Sequence, residues 1–217
     1  RNNIFKDNIN SDSGGGGIYS FGSSPVIEQN IFENNIAGIS VNGDWGGNWY
    51  GGAIMAYHGN PKIRNCIFNG NQAIHSGGAL RLYETENILI ENCVFNNNSL
   101  YIEPEYGFPP NSVGNTIDFY GDNIEFNFMN CIFTNSGENP LDAQYTNPIV
   151  NITYTLGDFT YQNNYLIESD PLFIDELEFR LNSNSPAIDA GNPSPEYNDF
   201  DGSRNDIGAY GGSKGNW

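Results

Sequence analysis

The sequence has few basic residues and no long apolar run. Its 8 Lys and Arg residues stand against 26 Asp and Glu residues, which gives a formal net charge of -18 at pH 7. This charge repels polyanions, so we expect neither a nucleic-acid partner nor binding to an anionic membrane surface. Since no run of about 18 apolar residues occurs, we also expect no membrane insertion. The same charge favours cations such as Ca²⁺.

The residues that are present are those of a folded protein. Hydrophobic residues make up 38% and aromatic residues 14% of the 217 positions. This is enough apolar surface for a sizeable core. We therefore predict a single domain over residues 1–217.

A short motif recurs along the chain, an apolar pair that ends in Phe and is followed three residues later by Asn or, in the last case, Ser. The intervals are 27, 36, 27 and 38 residues between Phe5, Phe32, Phe68, Phe95 and Phe133. A second motif, read as GGGI, GGAI, GGAL and GNTI, stays in step with the first. The sequence therefore repeats one unit of roughly 26 residues, a period typical of solenoid proteins.

The unit predicts strands and not helices. Each copy contains Gly, Pro or Asn turn signals, and segments such as IMAY, LRLY and IDFY alternate with period two. Three short strands per unit, stacked about 4.8 Å from their copies, would form a solenoid of parallel strands. We predict an all-β, right-handed parallel β-helix of about five or six coils. Regular coils are expected over 1–135, with irregular coils and a C-terminal closing segment over 136–217.

Alignment of the units gives two adjacent columns at a predicted sharp turn. The first column is Asn2, Gln29, Asn65, Asn92 and Asn130, and the second is Asn3, Asn30, Cys66, Cys93 and Cys131. Stacked amides hydrogen-bond along the axis of a solenoid, so these columns are interpreted as structural. The odd number of cysteines in one column favours buried thiols, with a Cys66–Cys93 disulfide as the alternative.

Two parts of the sequence resemble known families. The paired motifs in GGAIMAYHGNPKIRNCIFNGN resemble the repeats of polymorphic outer-membrane proteins and related bacterial β-helix adhesins. The segments SDPLFID, FRLNSNSPAIDAG and DFDGSRNDIGAYGG resemble the end of secreted, surface-anchored bacterial β-helix proteins. These resemblances imply an extracellular or bacterial cell-surface location. They imply little about chemistry, since the pectate-lyase-like fold also carries polysaccharide lyases and glycosidases.

The C-terminal segment contains the densest group of charges in the chain. Asp199, Asp201 and Asp206 lie close in sequence to Asp189 and Arg204. A DFDG step is able to present carboxylates to Ca²⁺, although the EF-hand pattern is incomplete. The alternative is an ion-pair network with Arg204 that closes the last coil. No motif requires a cofactor, and Ca²⁺ is the one candidate.

Two units carry aromatic insertions at the same turn, over residues 36–50 and 99–113. Strand alternation predicts an outward column of Phe21, Tyr57, Tyr83 and Tyr120 between these insertions. Such a row of rings would suit a sugar polymer, whereas insertions folded over it would bury the rings. The predicted ligand-binding residues are Trp45, Trp49, Tyr57, Tyr83, Tyr106 and Tyr120.

A second outward column contains one pair of opposite charges, Arg81 and Asp118. We interpret the two as an ion pair across adjacent strands. The alternative is catalysis, in which Asp118 and Glu84 act as an acid/base pair for glycoside cleavage beside Arg81. The catalytic candidates are therefore Arg81, Asp118 and Glu84.

The residue before each repeated Phe is aliphatic and is predicted to face outward. The column is Ile4, Ile31, Ile67, Val94 and Ile132. An exposed aliphatic stripe would be an assembly surface for other copies of the chain or for a host or cell-surface protein. No cap is apparent at the N-terminal end, which adds end-to-end stacking to the expectation. The alternative is that residues 136–165 cover the stripe.

Together these features predict an extracellular or cell-surface binding or adhesion module. The expected ligand is a polysaccharide or surface glycan, bound by the outward aromatic face. One alternative is a polysaccharide lyase or glycoside hydrolase on the same face. The other is a structural subunit that assembles end to end into filaments or a surface layer.

Overall fold

A computed structural model describes residues 1–38, 49–101, 116–122, 124–137, 139–143, 146–157, 159 and 166–217. These residues form short β-strands and one 3₁₀ helix over Pro195–Tyr197. The strands of the first two coils are β1 (Asn3–Lys6), β2 (Ile9–Asn10), β3 (Ile18–Phe21), β4 (Val26–Glu28), β5 (Asn30–Glu33), β6 (Ile36–Ala37), β7 (Ile54–Tyr57) and β8 (Lys62–Arg64). The next two coils contain β9 (Ile67–Asn69), β10 (Gln72–Ala73), β11 (Leu80–Tyr83), β12 (Ile88–Glu91), β13 (Val94–Asn96), β14 (Ser99–Leu100), β15 (Ile117–Tyr120) and β16 (Glu125–Met129). The remaining strands are β17 (Ile132–Thr134), β18 (Leu141–Ala143), β19 (Ile149–Thr153), β20 (Thr155–Gly157) and β21 (Leu166–Ile167).

Strands of successive coils pair in parallel and build four sheets along one axis. Sheet A has the order β1-β5-β9-β13-β17-β20-β21, sheet B β14-β10-β6-β2, sheet C β18-β15-β11-β7-β3 and sheet D β19-β16-β12-β8-β4. The predicted parallel β-helix is confirmed. Each of the first four coils has four strands where three were predicted, because the two-residue strands of sheet B form a ladder of their own.

The interior is built from ladders of like side chains. The five repeated Phe rings stack with centroids 4.7 to 4.9 Å apart, the spacing of adjacent strands. Cys66, Cys93 and Cys131 are buried free thiols, as predicted. Burial raises the pKa of Cys93, so this column acts as small apolar packing.

An asparagine ladder follows the Phe column. The side-chain amide of each residue donates to the side-chain oxygen of the next, from Asn8 to Asn35 (2.7 Å), Asn71 (2.8 Å) and Asn98 (2.9 Å). Asn35, Asn71 and Asn98 are buried. An axial amide ladder was expected in the two columns before the Phe. It runs instead mainly through the Asn of the repeated motif, and the second column contributes one Asn3–Asn30 contact of 3.0 Å.

The first amide column forms a turn and contacts the C-terminal segment. All five of its residues adopt left-handed backbone conformations, with φ between 49° and 56°, which Asn tolerates better than most residues. The Asn65 side chain donates to the carbonyls of Ala209 and Gly211, and the Asn92 side chain donates to Asn205 Oδ1. The column therefore forms the sharp turn and also binds the C-terminal segment.

This C-terminal segment, residues 166–217, covers most of the aliphatic stripe. Ile67, Val94 and Ile132 are fully buried in a cluster with Phe179, Ala187, Ile207 and Ala209. The prediction of an exposed assembly surface is therefore wrong for these three residues. Ile31 is partly buried in the same cluster, while Ile4 is 66% exposed. Among the described residues, the cover comes from 166–217 and not from the predicted segment 136–165.

The acidic group in this segment forms turns. Asp199 accepts hydrogen bonds from the backbone of Asp206 and Gly212, Asp206 accepts from Asp189, and Asp201 accepts from Ser203. Arg204 donates to the carbonyls of Ala190 and Gly191. The predicted Asp–Arg204 ion-pair network is therefore wrong, because backbone groups satisfy these side chains.

Within the described ranges, no group of three or more His, Cys, Asp and Glu side chains is placed to hold a metal ion. No helix in those ranges is long and apolar enough to cross a membrane.

Candidate functional site

The two insertions connect sheet B to sheet C in the second and fourth coils. The insertions begin at β6 and β14, which flank β10 on either side in sheet B. Residues 39–48 and 102–115 lie outside the described part of the chain, and the predicted ligand contacts Trp45 and Tyr106 fall there. The other predicted ligand contacts and the three catalytic candidates are all described.

The outward aromatic column forms a continuous stack along the axis. Ring centroids are 5.4 Å apart from Phe21 to Tyr57, 4.5 Å from Tyr57 to Tyr83 and 4.5 Å from Tyr83 to Tyr120, with planes within 13° of parallel. The three tyrosines are partly exposed. Both faces of Tyr57 and of Tyr83 are covered by neighbouring rings, so neither residue has a free face on which a sugar ring could stack. The stack instead presents ring edges.

The phenol of Tyr83 is a neutral hydrogen-bonding group. Burial, the Glu84 carboxylate and the flanking Tyr57 and Tyr120 raise the pKa of Tyr83 to about 12. A phenol with so high a pKa keeps its proton at all ordinary pH values and both donates and accepts hydrogen bonds. The Tyr83 phenol is therefore an uncharged polar group at the edge of the apolar stack.

An exposed histidine and an exposed glutamate border this row. His58 Nδ1 lies 3.3 Å from Glu84 Oε2, and their side chains are 44% and 46% exposed. Both residues adopt left-handed backbone conformations at the end of their strands, with φ of 57° and 47°. Glu84 thus pairs with His58 on the surface, which does not support its predicted role as the acid/base partner of Asp118.

Arg81 and Asp118 point away from the core, as predicted, but they are 5% and 0% exposed. Arg81 Nη1 pairs with Asp118 Oδ2, which also accepts a hydrogen bond from Ser76. The guanidinium lies 4.6 Å from the centroid of the Tyr50 ring. The pKa of Arg81 is lowered by burial, and the surrounding tyrosines and Asp142 only partly oppose this shift. The predicted ion pair is confirmed, and it is inaccessible to solvent.

Asp142 belongs to this cluster and was not predicted from the sequence. It lies in register with Asp118 on the neighbouring strand β18 and is half-buried. Burial raises its pKa, and Arg81 opposes this shift. Asp118 Oδ1, Asp142 Oδ2 and Arg81 Nε are buried without a hydrogen-bond partner among the described residues. The only sequence signal was the agreement of LDA with IDF, in a unit that lacks the glycine motif.

Trp49 is a packing residue and not an exposed ligand contact. Its side chain is 2% exposed, and its indole Nε1 donates to the carbonyl of Ser11 at 3.0 Å. The indole stacks on His75 with centroids 5.3 Å apart, and burial lowers the pKa of that histidine. The predicted role of Trp49 is therefore wrong, because the chain folds this aromatic inward at the end of its insertion.

A cavity of about 870 Å³ lies elsewhere, between the last coils of sheet A and the C-terminal segment. Its lining combines phenylalanines with acidic side chains, including Phe133, Phe173, Phe179, Glu168 and Asp170. None of the residues that were predicted as site residues lies in this lining. The cavity is thus separate from the face of sheet C.

Comparison with known proteins agrees with this architecture. A family model described as "Right handed beta helix region" matches residues 1–164. No curated protein and no solved structure matches the chain at a significant level. The matched residues contain all the complete coils and the face of sheet C described above. The chain belongs to the right-handed β-helix family.

Proposed function

We propose that this domain is a surface binding or adhesion module that recognises an extended polysaccharide along the outer face of sheet C. The observation that supports this most directly is the straight row of Tyr57, Tyr83 and Tyr120, with rings 4.5 Å apart and edges at the surface. A row of evenly spaced phenols matches a linear ligand that itself repeats and carries many hydroxyl groups. Ring edges supply apolar contact, and the phenol hydroxyls exchange hydrogen bonds with the sugar.

The charges around the row limit the class of glycan. Glu84 is exposed beside Tyr83, Asp142 is half-buried nearby, and the whole chain carries a net charge of -18. A uronic-acid polymer would be repelled by this surface unless a cation bridged the two. We therefore propose a neutral or cationic glycan. The proposed extracellular location depends on the resemblance to adhesin repeats.

The test removes the hydroxyls and keeps the stack. A triple variant Tyr57→Phe, Tyr83→Phe and Tyr120→Phe should lose binding to a panel of neutral polysaccharides by about tenfold or more, because each lost hydrogen bond contributes about 1 kcal/mol. Tyr154→Phe, at a tyrosine that is 37% exposed on the strand connection between β19 and β20, is the matched control. Unchanged binding in the triple variant would show that this face is not the site.

A second candidate function is glycoside cleavage, and one observation favours it. Asp118 is ion-paired with Arg81, while the adjacent Asp142 has a raised pKa and is partly open to solvent. A partly exposed carboxyl with a raised pKa has the property that a glycosidase general acid requires. Release of oligosaccharide that disappears in Asp142→Asn, with binding retained, would establish this activity. Binding without release would leave the domain a binding module.

A further inference from the structure

A hairpin in the C-terminal segment packs one of its faces on the coils. Residues 172–182 form this hairpin, which is closed by two backbone hydrogen bonds and by an antiparallel bridge from Phe173 to Leu181. Both side chains of the bridge pack against the cluster that covers the aliphatic stripe. Because side chains alternate along a strand, Leu172 and Ile174 point away from that cluster.

The outward side chains of the hairpin are apolar and exposed. Leu172 is 41% exposed, Ile174 is 65% exposed, and Leu177 at the tip is 79% exposed. Asp175 Oδ1 accepts hydrogen bonds from the backbone nitrogens of Leu177 and Glu178 at 2.9 and 2.7 Å, so the tip is a defined turn. The hairpin therefore holds three aliphatic side chains in solvent, a feature that marks contact surfaces for other molecules.

Acidic side chains flank the pair of Leu172 and Ile174. Asp170 comes before the pair and accepts a hydrogen bond from the backbone nitrogen of Leu172 at 2.8 Å, and Asp175 and Glu176 follow the pair directly. All three acidic residues are exposed. None of them forms an ion pair with a basic side chain of the described chain.

The hairpin's single basic side chain does not neutralise these carboxylates. Arg180 Nε lies 2.8 Å from Glu178 Oε2, and its guanidinium lies 4.3 Å from the centroid of the Tyr210 ring. Arg180 thus already has an acidic and an aromatic partner. The charges of Asp170 and Glu176 remain available to a cation from outside the chain.

Charge decides which partner fits this surface. Contact between the hairpins of two copies would bring like charges together, and each copy carries a net charge of -18. Anionic lipid surfaces and nucleic acids are repelled for the same reason. A basic protein with apolar side chains satisfies both the exposed aliphatic residues and the carboxylates beside them.

We infer that the exposed face of this hairpin is a docking surface for a basic partner protein, which contacts it through a segment of apolar residues flanked by Lys or Arg. The apolar residues cover Leu172, Ile174 and Leu177, and the flanking cations pair with Asp170 and Glu176. The hairpin packs on the outer side of sheet A, whereas the proposed glycan face belongs to sheet C. This surface is therefore independent of the proposed glycan site, and the domain is able to use both together.

The test uses the whole chain and a fluorescent peptide of sequence KKLILKK, whose binding is followed by fluorescence anisotropy at about 0.15 M salt. A triple variant, Leu172→Ser, Ile174→Ser and Leu177→Ser, removes the exposed aliphatic side chains of the hairpin. Its control is Val26→Ser with Ile149→Ser, at two sheet D residues that are each 56% exposed. The triple variant should weaken binding by about tenfold or more, and the control should weaken it by less than about twofold.

A second pair of variants separates a local charge contact from general attraction to an acidic protein. Asp170→Asn with Glu176→Gln removes two charges at the hairpin, and Asp12→Asn with Glu86→Gln removes two exposed charges elsewhere. The hairpin variant should weaken binding of KKLILKK by about threefold or more, and its control should change binding less.

Equal effects within either set of variants, or no saturable binding of KKLILKK to the parent, would overturn the inference. It would also be overturned if light scattering showed a dimer of the parent that the triple serine variant abolished, because the occupant would then be a second copy.

Discussion

The guanidinium of Arg81 and the carboxylate of Asp118 form an ion pair between β11 and β15 on the outer side of the sheet, where solvent reaches neither group. Moving two charges out of water is costly, and their attraction offsets this cost only while both are present. Loss of one partner should therefore destabilise the fold more than loss of both partners together.

Removing one partner should destabilise the domain strongly. We expect Arg81→Met or Asp118→Leu to lower the free energy of unfolding by about 3 to 5 kcal/mol, because each leaves a buried charge without its counter-ion. The double variant Arg81→Met with Asp118→Leu should recover much of that loss. Urea denaturation of the four proteins gives the coupling energy directly.

The exposed pair Lys6–Glu33, with atoms 2.9 Å apart, is the control for this experiment. Its replacement by Met and Leu should change the midpoint of unfolding little, since surface ion pairs contribute little to stability. Equal losses at the two pairs would contradict the buried character of the Arg81–Asp118 pair.

The asparagine ladder predicts that the loss of stability on substitution depends on the position of the residue in the ladder. Asn71 is fully buried, receives two hydrogen bonds from Asn35 and donates to Asn98 and to the carbonyl of Phe32. Asn71→Ala leaves several buried polar groups unsatisfied and should cost about 2 to 4 kcal/mol. Asn8→Ala, at the exposed end of the same ladder, should cost about 1 kcal/mol. Urea denaturation tests the order, and a loss at Asn8 as large as that at Asn71 would contradict it.

Asp206 predicts a pH dependence of stability. Burial and the nearby Asp199, Asp189 and Asp201 raise its pKa to about 6 from an ordinary value of 3.8. The folded state therefore binds this proton more tightly than the unfolded state does. The stabilisation that results is present below about pH 4 and is lost as the pH rises through about 6. Asp206→Asn keeps an acceptor for the backbone of Asp189 and removes the charge.

We therefore expect Asp206→Asn to be more stable than the parent at pH 7 by about 1 kcal/mol, after allowance for solvent screening. The difference should shrink at pH 4, where the parent carboxyl is protonated. Thermal unfolding across this range measures it. Asp201→Asn is the control, because hydrogen bonds from Ser203 lower the pKa of that exposed carboxyl. A gain at pH 4 equal to that at pH 7 would refute the titration argument.

The regular coils were predictable because their columns repeat. The Phe intervals and the alternation of LRLY and IDFY establish which residues share a face, so the Phe stack and the tyrosine stack follow from counting. The exposure of a face does not follow in the same way. Trp49 belongs to an insertion, and Arg81 packs against Tyr50 at the end of the same insertion. Alternation contains no information on what covers an outward side chain.

The C-terminal segment was the least predictable part. Residues 166–217 contain no repeat, so no column places Ile207 or Ala209 against the stripe. Only two features of the coils point to such a cover. One is the outward aliphatic column, and the other is the pair of amides at Asn65 and Asn92, which have partners outside their own ladder. Asp142 was missed for a related reason, because its unit lacks the glycine motif that sets the alignment.

The covered stripe supports a last prediction about how the C-terminal segment is held. Ile132 is fully buried in the cluster beneath this segment, and the amide of Gly208 donates to the carbonyl of Asn130 at 2.8 Å beside it. Ile132→Ala should therefore lower the free energy of unfolding by about 2 to 5 kcal/mol, through lost burial and an unfilled cavity.

The same substitution at the open end of the stripe separates burial from strand propensity. Ile4→Ala removes the same atoms from the same column, but Ile4 is 66% exposed, so its loss should stay within about 0.5 kcal/mol. If the segment is held by the stripe, Ile132→Ala should also make residues 190–217 more sensitive to limited proteolysis than Ile4→Ala does. Equal sensitivity in the two variants would mean that the hydrogen bonds from Asn65 and Asn92 hold the segment without help from the apolar cluster.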